Sequence, residues 1–233
     1  MSLEEKVREY AAKYNSRQYF EEDPISGPRH FLEMANQSRA DLKDVEVASV
    51  VAAHLAWGRR SMIVRDIRRA YDEMGWKPYD YVMRGSYRCD PVSLHRTVKW
   101  CEMAAIFERL RLYFSDHESL ESLSADGFRT LVFGQKSDLK AANKKIHMMR
   151  RWMVRRDGIV DFGIWKDTDP ACLIIPLDTH VHTQARALGI TNRNATDFRT
   201  ADEITDYFRG IFPADPCLGD FALFGLGVTA NSK

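Results

Sequence analysis

Several common signatures of function are missing from this sequence of 233 residues. Its four cysteines are scattered and form no C-x-x-C pair, which argues against a zinc knuckle or a four-cysteine iron–sulfur loop. Neither a Walker-type nor a dinucleotide-binding glycine fingerprint occurs, and there is no internal repeat. These absences argue against a cysteine-bound metal or cluster, a nucleotide cofactor and a repeat architecture, and we expect no cofactor.

A long apolar run and a signal-like N-terminus are also lacking, so we expect a cytoplasmic protein without a membrane partner. Hydrophobic residues make up 45% of the chain and aromatic residues 11%, which is enough to bury a sizeable core. At this length, one large domain and two small lobes that share a cleft are both consistent with the sequence.

Convincing β-strands are lacking as well, because the apolar residues recur mostly at helical spacing. The spacing predicts an amphipathic helix over residues 3–14 and a strongly buried helix from Asp44 to Ala56. The pair Asp90-Pro91 has the residue types of an N-cap and a first helical turn, and predicts a long helix that ends near Phe114. These patterns indicate an all-α protein.

One segment, residues 129–156, concentrates positive charge. It contains nine lysines and arginines and a single acid, Asp138, so its charge is +8, whereas the whole chain has a net charge of only +1. Such a segment is typical either of a solvated helix face or of a surface that meets a polyanion.

Asp178 follows an apolar run, Ala171–Leu177, and precedes a new helical pattern that closes at Gly189. This position predicts that the aspartate is the N-cap of a helix. The same carboxylate, partly removed from water at the edge of a basic surface, is also a candidate to stabilise a developing cation or to accept a proton.

The residues around Asp178 resemble a known motif. Residues 176–189 are similar to the segment that carries the catalytic aspartate in the helix-hairpin-helix DNA glycosylases, and residues 151–157, 161–165 and 220–227 resemble blocks of an uncharacterised bacterial family of that superfamily. The resemblance implies an all-α, two-lobed fold with a central cleft, in which residues 1–233 form one glycosylase-like unit.

Within that unit, the resemblance places a central helical lobe at about 44–135 and the hairpin with the catalytic segment at about 136–190. The C-terminal helices, 199–228, would pack with the N-terminal helix. The glycine-rich hairpin of the superfamily is replaced here by residues 137–144, which contain no glycine. The left-handed turn that glycine usually supplies must therefore be made by another residue.

The spacing of 34 residues between Lys144 and Asp178 resembles the archaeal 8-oxoguanine glycosylase branch. The resemblance implies that Lys144 is the nucleophile, with Lys145 as the alternative, and that Asp178 is the catalytic carboxylate. It implies further contacts in two groups. The base-binding residues are Trp57, Asp220 and Phe224, and the phosphate-binding residues are Lys140, Lys145, Arg150, Arg151 and Arg155.

The resemblance thus implies a DNA glycosylase with AP-lyase activity that removes a flipped damaged base, with 8-oxoguanine favoured, from double-stranded DNA. It implies no metal, no cofactor and no obligate protein partner. If no lysine attacks, Asp178 and a water molecule would make a monofunctional enzyme.

Two other functions fit parts of the sequence. A DNA- or RNA-binding protein without catalytic activity would use the same basic surface. A metal-dependent hydrolase would use the alternating pattern Asp178-x-His180-x-His182, which ligates zinc when it lies on a strand.

Overall fold

In this computed structural model, the described part of the chain is residues 2–230, with side chains described as far as residue 227. The chain divides into two compact units. One unit consists of the first 19 residues together with the chain from Asp138 onward, and the other consists of Phe20–Ser137.

The unit formed by Phe20–Ser137 is built from consecutive elements in the first part of the chain. Its elements are α2 (Ser26–Asn36), α3 (Leu42–Leu55), α4 (Arg60–Glu73), α5 (Pro78–Arg84), β1 (Ser93–His95), β2 (Val98–Lys99), α6 (Trp100–Phe114) and α7 (Ala125–Gly127), which continues into a π-helical turn, Phe128–Val132.

The core of this unit is α3. The Asp41 side chain caps its first turn by accepting a hydrogen bond from the Lys43 N–H, and Asp44 completes a capping box. Nearly every residue from Val45 to Leu55 is buried, and the helix packs against α2, α4 and α5. The prediction of a strongly buried helix in this region is confirmed.

The long helix predicted from Asp90-Pro91 is wrong over its first ten residues. Residues 93–99 form a two-stranded antiparallel hairpin, and α6 begins only at Trp100. The Asp90 carboxylate accepts hydrogen bonds from the Val92 N–H and from the side chain of Arg88, so it stabilises a turn rather than a helix. Aspartate followed by proline is favourable in both settings, and the local sequence does not separate them.

The other unit contains five helices among the described residues. They are α1 (Leu3–Tyr14), α8 (Lys144–Val154), α9 (Thr179–Ala187), α10 (Phe198–Ile211) and α11 (Leu218–Ala230), with 3₁₀ turns at Arg17–Tyr19 and Pro170–Cys172.

In this unit α11 lies at the centre and contacts α1, α9 and α10. Two of its glycines let neighbouring rings approach the backbone closely. A Cβ atom at Gly225 would overlap the Tyr14 ring of α1, and a Cβ atom at Gly219 would overlap the Phe208 ring of α10. Both rings are buried, so the absence of a side chain at these positions is part of the packing.

The all-α class is confirmed, since the short hairpin of β1 and β2 is the only sheet among the described residues. None of the helices that the structure describes is long and apolar enough to span a bilayer.

Candidate functional site

The basic segment leads into α8 through a loop that ends in a left-handed residue. Asn143, which directly precedes the helix, has φ 45° and ψ 40°. Asparagine tolerates this region better than most residues with a side chain. The turn for which the sequence offers no glycine is therefore made by asparagine.

The loop before α8 is fixed to the start of α10. The Phe198 N–H donates to the Lys140 carbonyl at 2.8 Å, and Ala141 forms an isolated β-bridge with Asp197. The Asp138 carboxylate accepts a hydrogen bond from the Lys140 N–H and closes a small turn. The entry to α8 thus has a defined backbone path.

Lys145 lies in the first turn of α8 and is only partly exposed. Burial, and to a smaller extent the neighbouring charge of Lys144, lower the pKa of its ammonium group to about 8. The charged form still predominates at pH 7, but about a tenth of the Lys145 side chains then carry an uncharged amine, far more than for a lysine with the usual pKa. This is the property that a lysine nucleophile requires.

Asp178 is the N-cap of α9, as its position in the sequence predicts. Its backbone is extended, and its carboxylate accepts a hydrogen bond from the Val181 N–H at 2.9 Å. The apolar run before it is an irregular loop without ladder hydrogen bonds, anchored where the Ile175 N–H donates to the Thr205 hydroxyl. The Asp178 side chain is half-buried. Its carboxylate therefore lies where the buried loop meets the start of α9.

Asp220 lies in the first turn of α11 and is mostly buried. Its carboxylate accepts a hydrogen bond from the guanidinium of Arg151. Burial raises the pKa of the Asp220 carboxyl above its usual value, the positive charge of Arg151 opposes this change, and the charge of Asp178 adds to it. The structure therefore brings Asp220 into the electrostatic neighbourhood of Asp178.

Two of the predicted phosphate-binding residues lie in the interior, which corrects the prediction. Arg155 is fully buried and pairs with Asp157, Asp161 and Asp215. Arg151 is 5% exposed and pairs with Asp161 as well as with Asp220.

Both guanidinium groups also lie over the ring of Phe221, at 4.8 Å from its centroid for Arg155 and 4.7 Å for Arg151. These arginines balance acidic groups inside the protein, so they do not present charge to phosphate. Phe221 belongs to α11, and the two arginines thus connect α8 to that helix.

The remaining predicted phosphate ligands are accessible to different degrees. Lys140 is exposed in the loop, and Lys145 and Arg150 are partly exposed on α8. Lys144, the predicted nucleophile, is also partly exposed and is the first residue of the helix. The approach of Lys144 or Lys145 to Asp178 stays a prediction.

Phe224, a predicted base-binding residue, is part of an aromatic cluster. Its ring contacts the rings of Tyr14 and Tyr19 edge-on, with centroids 6.0 and 6.3 Å away. The side chain is only partly exposed. This packing is sufficient to explain an aromatic residue at position 224, and base binding there stays a prediction.

Trp57, the third predicted base-binding residue, belongs to the other unit, Phe20–Ser137. The Arg96 guanidinium lies 4.4 Å from its ring centroid, and the His95 ring meets it edge-on at 5.7 Å. His95 Nε2 lies 2.9 Å from the Trp57 carbonyl, and His95 Nδ1 lies 2.8 Å from the Asp66 carboxylate. The tryptophan is thus held from two sides while it keeps a partly exposed ring.

The metal interpretation of His180 and His182 does not fit the backbone. Both residues lie on α9, and side chains two residues apart on a helix point in different directions. His182 is buried with Nε2 at 2.9 Å from the Arg193 carbonyl, whereas His180 is exposed and lies against Gly227 of α11. His180 and His182 therefore do not have the geometry of alternating metal ligands on a strand.

The sequence reasoning missed the interior acids that pair with Arg151 and Arg155. The sequence did contain a signal that these arginines are buried, because they are four residues apart and flank the apolar run Trp152–Val154. Residues at that spacing share a helix face. It also missed the environment of His147, whose burial, together with the charge of Arg150, lowers the pKa of its ring to about 4.

Comparison with known protein families gives a match over most of the chain. The family model described as "Protein of unknown function (DUF2400)" matches residues 23–229, which is most of the chain. No curated protein and no solved structure matches the chain.

Proposed function

The chain belongs to the DUF2400 family, and we propose that it is a DNA glycosylase with AP-lyase activity that removes a damaged base in base excision repair. The observation that carries the proposal is the state of Lys145. This lysine is the second residue of α8, which follows a left-handed turn, and its pKa is lowered to about 8. An uncharged lysine amine in a basic loop-and-helix segment is suited to attack a sugar carbon of DNA.

The structure favours Lys145 over Lys144 as the nucleophile. Attack requires the lone pair of the amine, and burial supplies it at Lys145. Lys144 contributes as the adjacent charge that lowers the pKa of Lys145. In this proposal the two lysines have distinct roles, and only one forms the covalent bond.

Asp178 is proposed as the catalytic carboxylate. Its Oδ1 atom accepts the Val181 N–H, which fixes the orientation of the carboxylate at the start of α9. A carboxylate in this position can stabilise positive charge that develops on the sugar, and it can carry a proton. Asp220, paired with Arg151, would add to the negative potential around Asp178 and bind the base together with Phe224. Trp57, which belongs to the other unit, stays a proposed base-binding residue.

The chemical step balances as follows. The target nucleotide leaves the base stack, because C1′ of a stacked nucleotide cannot be reached. The Lys145 amine forms a bond to C1′ while the glycosidic bond breaks and its electron pair leaves with the base. The proton lost by the attacking nitrogen passes to Asp178 and then to the departing base. The sugar ring opens to a Schiff base, and loss of a C2′ proton expels the 3′-phosphate.

The proposed DNA surface consists of Lys140, Lys144 and Arg150. Lys140 is exposed on the loop before α8, and the other two are partly exposed on the helix itself. Basic side chains on one continuous segment suit the regular charge of a phosphate backbone. We propose 8-oxoguanine as the substrate base, because the spacing of 34 residues between Lys144 and Asp178 resembles the archaeal 8-oxoguanine glycosylase branch.

The test is covalent trapping. The protein is incubated with duplexes that carry 8-oxoguanine, uracil, hypoxanthine or an abasic site, borohydride is added, and the products are separated on a denaturing gel. We expect a trapped complex with the 8-oxoguanine duplex. Lys145→Gln should abolish it, and Asp178→Asn should reduce base release by about 10²- to 10⁴-fold, the usual contribution of a positioned acid or base.

Lys144→Gln is the matched control, because it removes one positive charge from the neighbouring position. We expect it to retain trapping with a shifted pH dependence. Trapping at the abasic site alone would not count in favour, since many amines react there.

The competing function is a DNA- or RNA-binding protein without catalytic activity. It predicts salt-sensitive binding that Lys140→Gln and Arg150→Gln weaken and that Asp178→Asn leaves unchanged. Such binding, without base release from any of the four duplexes, would overturn the glycosylase proposal and favour the binding protein.

A further inference from the structure

A pocket of about 560 Å³ lies within the unit formed by Phe20–Ser137, between the start of α2 and the outer face of α4. Its volume is in the range of pockets that bind small molecules. The side chains that determine its chemistry are three rings and three polar groups, namely His30, Tyr71, Trp76, Asp23, Ser26 and Arg68.

One wall of the pocket is the ring of Trp76, whose backbone conformation is unusual. Its φ of 56° is in the left-handed region, directly after Gly75 at φ 60°. The conformation is held by a C-terminal helix motif in which the Trp76 N–H donates to the Tyr71 carbonyl and the Gly75 N–H donates to the Asp72 carbonyl, both at 3.0 Å. A bulky residue rarely adopts this conformation, and such outliers concentrate at binding sites.

The indole ring of Trp76 is also fixed in orientation. Its Nε1–H donates to the Asp72 carboxylate at 2.9 Å, and its ring lies nearly parallel to the buried ring of Phe31, with centroids 5.9 Å apart. The exposed His30 ring meets it edge-on at 4.9 Å. The pocket therefore offers rigid aromatic surface at a partly exposed position, which suits a flat ring.

The rim of the pocket supplies one cation. Three other arginines of α4 have acidic partners, since Arg65 and Arg69 pair with Asp66, and Arg60 lies 3.7 Å from Asp23. Arg68 is exposed and projects from the same helix onto the pocket. A guanidinium there can bind a phosphate or a carboxylate.

We propose that this pocket binds a planar heteroaromatic ring that carries an anionic group, the chemistry of a nucleoside monophosphate. The ring stacks against Trp76 and meets the His30 ring edge-on, the anion pairs with Arg68, and Ser26 and Asp23 contact the polar edge of the ring. The site is separate from the residues of the glycosylase proposal, and either proposal can fail without the other.

The test is calorimetric titration of the full chain with the 5′-monophosphates of adenosine, guanosine, cytidine and uridine, and with adenosine, inorganic phosphate and a single-stranded tetranucleotide of deoxyadenosine. We expect adenosine 5′-monophosphate to bind and Arg68→Gln to weaken it about tenfold, with little effect on adenosine. His30→Ala should weaken both ligands. The matched control is Arg39→Gln, at an exposed arginine of the same unit outside the pocket, and it should change neither.

The tetranucleotide tests whether the pocket takes a free nucleotide or a nucleotide within a strand. Tighter binding than the mononucleotide, with the same loss in Arg68→Gln, supports the site and shows that it takes a nucleotide within a strand. Three results overturn the proposal. They are no binding of adenosine, guanosine, cytidine or uridine monophosphate at millimolar concentration, binding of phosphate alone as tight as that of the nucleotide, and binding that Arg68→Gln and His30→Ala leave unchanged.

Discussion

The Arg151 guanidinium donates to the Asp220 carboxylate and thereby ties the last turn of α8 to the first turn of α11. Asp220 in turn lies within electrostatic reach of Asp178. The helix whose first turn carries the proposed nucleophile, Lys145, and the carboxylate proposed to act on the sugar are thus linked through one buried ion pair. Four predictions test the interior of this unit.

The first prediction concerns Arg155, which is fully buried among Asp157, Asp161 and Asp215. Replacing it with methionine leaves buried carboxylates without their positive partner, and we expect a loss of about 3–5 kcal/mol in the free energy of unfolding. Urea denaturation measures the change. Arg186→Met, at an exposed residue in the last turn of α9, should alter stability by less than about 0.5 kcal/mol. Equal effects of the two variants would contradict the interior role.

The second prediction concerns the loss of stability that the buried positive charge of Lys145 causes. Its pKa in the folded protein, about 8, lies below the usual value of 10.5, so the unfolded chain binds more protons between these two pH values. Stability should therefore rise as the pH increases from about 8 to 10.5, and the cost should be fully present below pH 8.

Lys145→Met should remove this cost and raise the melting temperature at pH 7 by about 2–4 °C, which corresponds to about 1 kcal/mol for a domain of this size. The same variant should lose covalent trapping. A melting temperature that does not change, or a wild-type stability that is flat between pH 8 and 10.5, would show that the lysine is not desolvated.

The third prediction concerns acid stability. The His147 ring is buried and its pKa is lowered to about 4, whereas the unfolded residue titrates near 6.5. The unfolded chain therefore takes up a proton first, and this group removes stability as the pH falls from about 6.5 to 4. Thermal melts of the wild type and of His147→Gln at pH 7 and pH 5 should show a smaller acid-induced loss in the variant. Identical acid-induced losses of stability in the wild type and the variant would contradict the lowered pKa of His147.

The fourth prediction compares two glycines of the same unit. A Cβ at Gly225 would overlap the buried Tyr14 ring, and we expect Gly225→Ala to destabilise the protein by about 1–3 kcal/mol. A Cβ at Gly210 would meet nothing within 4 Å, and Gly210→Ala should stabilise α10 by about 0.5–1 kcal/mol. Chemical denaturation should thus give opposite signs, and a gain at position 225 would refute the close approach of α1 and α11.

Features governed by neighbours along the chain could be predicted. Helix α1 spans Leu3–Tyr14, as the spacing of its apolar residues indicates, and Asp178 is an N-cap because the cap needs only the next few residues. The hairpin at 93–99 could not be predicted in the same way, since Asp90-Pro91 suits a turn and a helix start equally.

The sequence by itself determined the all-α class, the positions of α1 and α3, the start of α9 and the need for a left-handed turn before α8, because periodicity, capping and turn chemistry act over a few residues. Only the tertiary structure decided which basic residues face water. Arg151 and Arg155 are chemically the same as Arg150, yet acids enclose them: Asp157 and Asp161 follow within ten residues, and Asp215 and Asp220 are distant in sequence. Burial by the folded chain likewise makes Lys145 a weaker base. Charge state and exposure depend on which segments fold against a residue, and that information is not local.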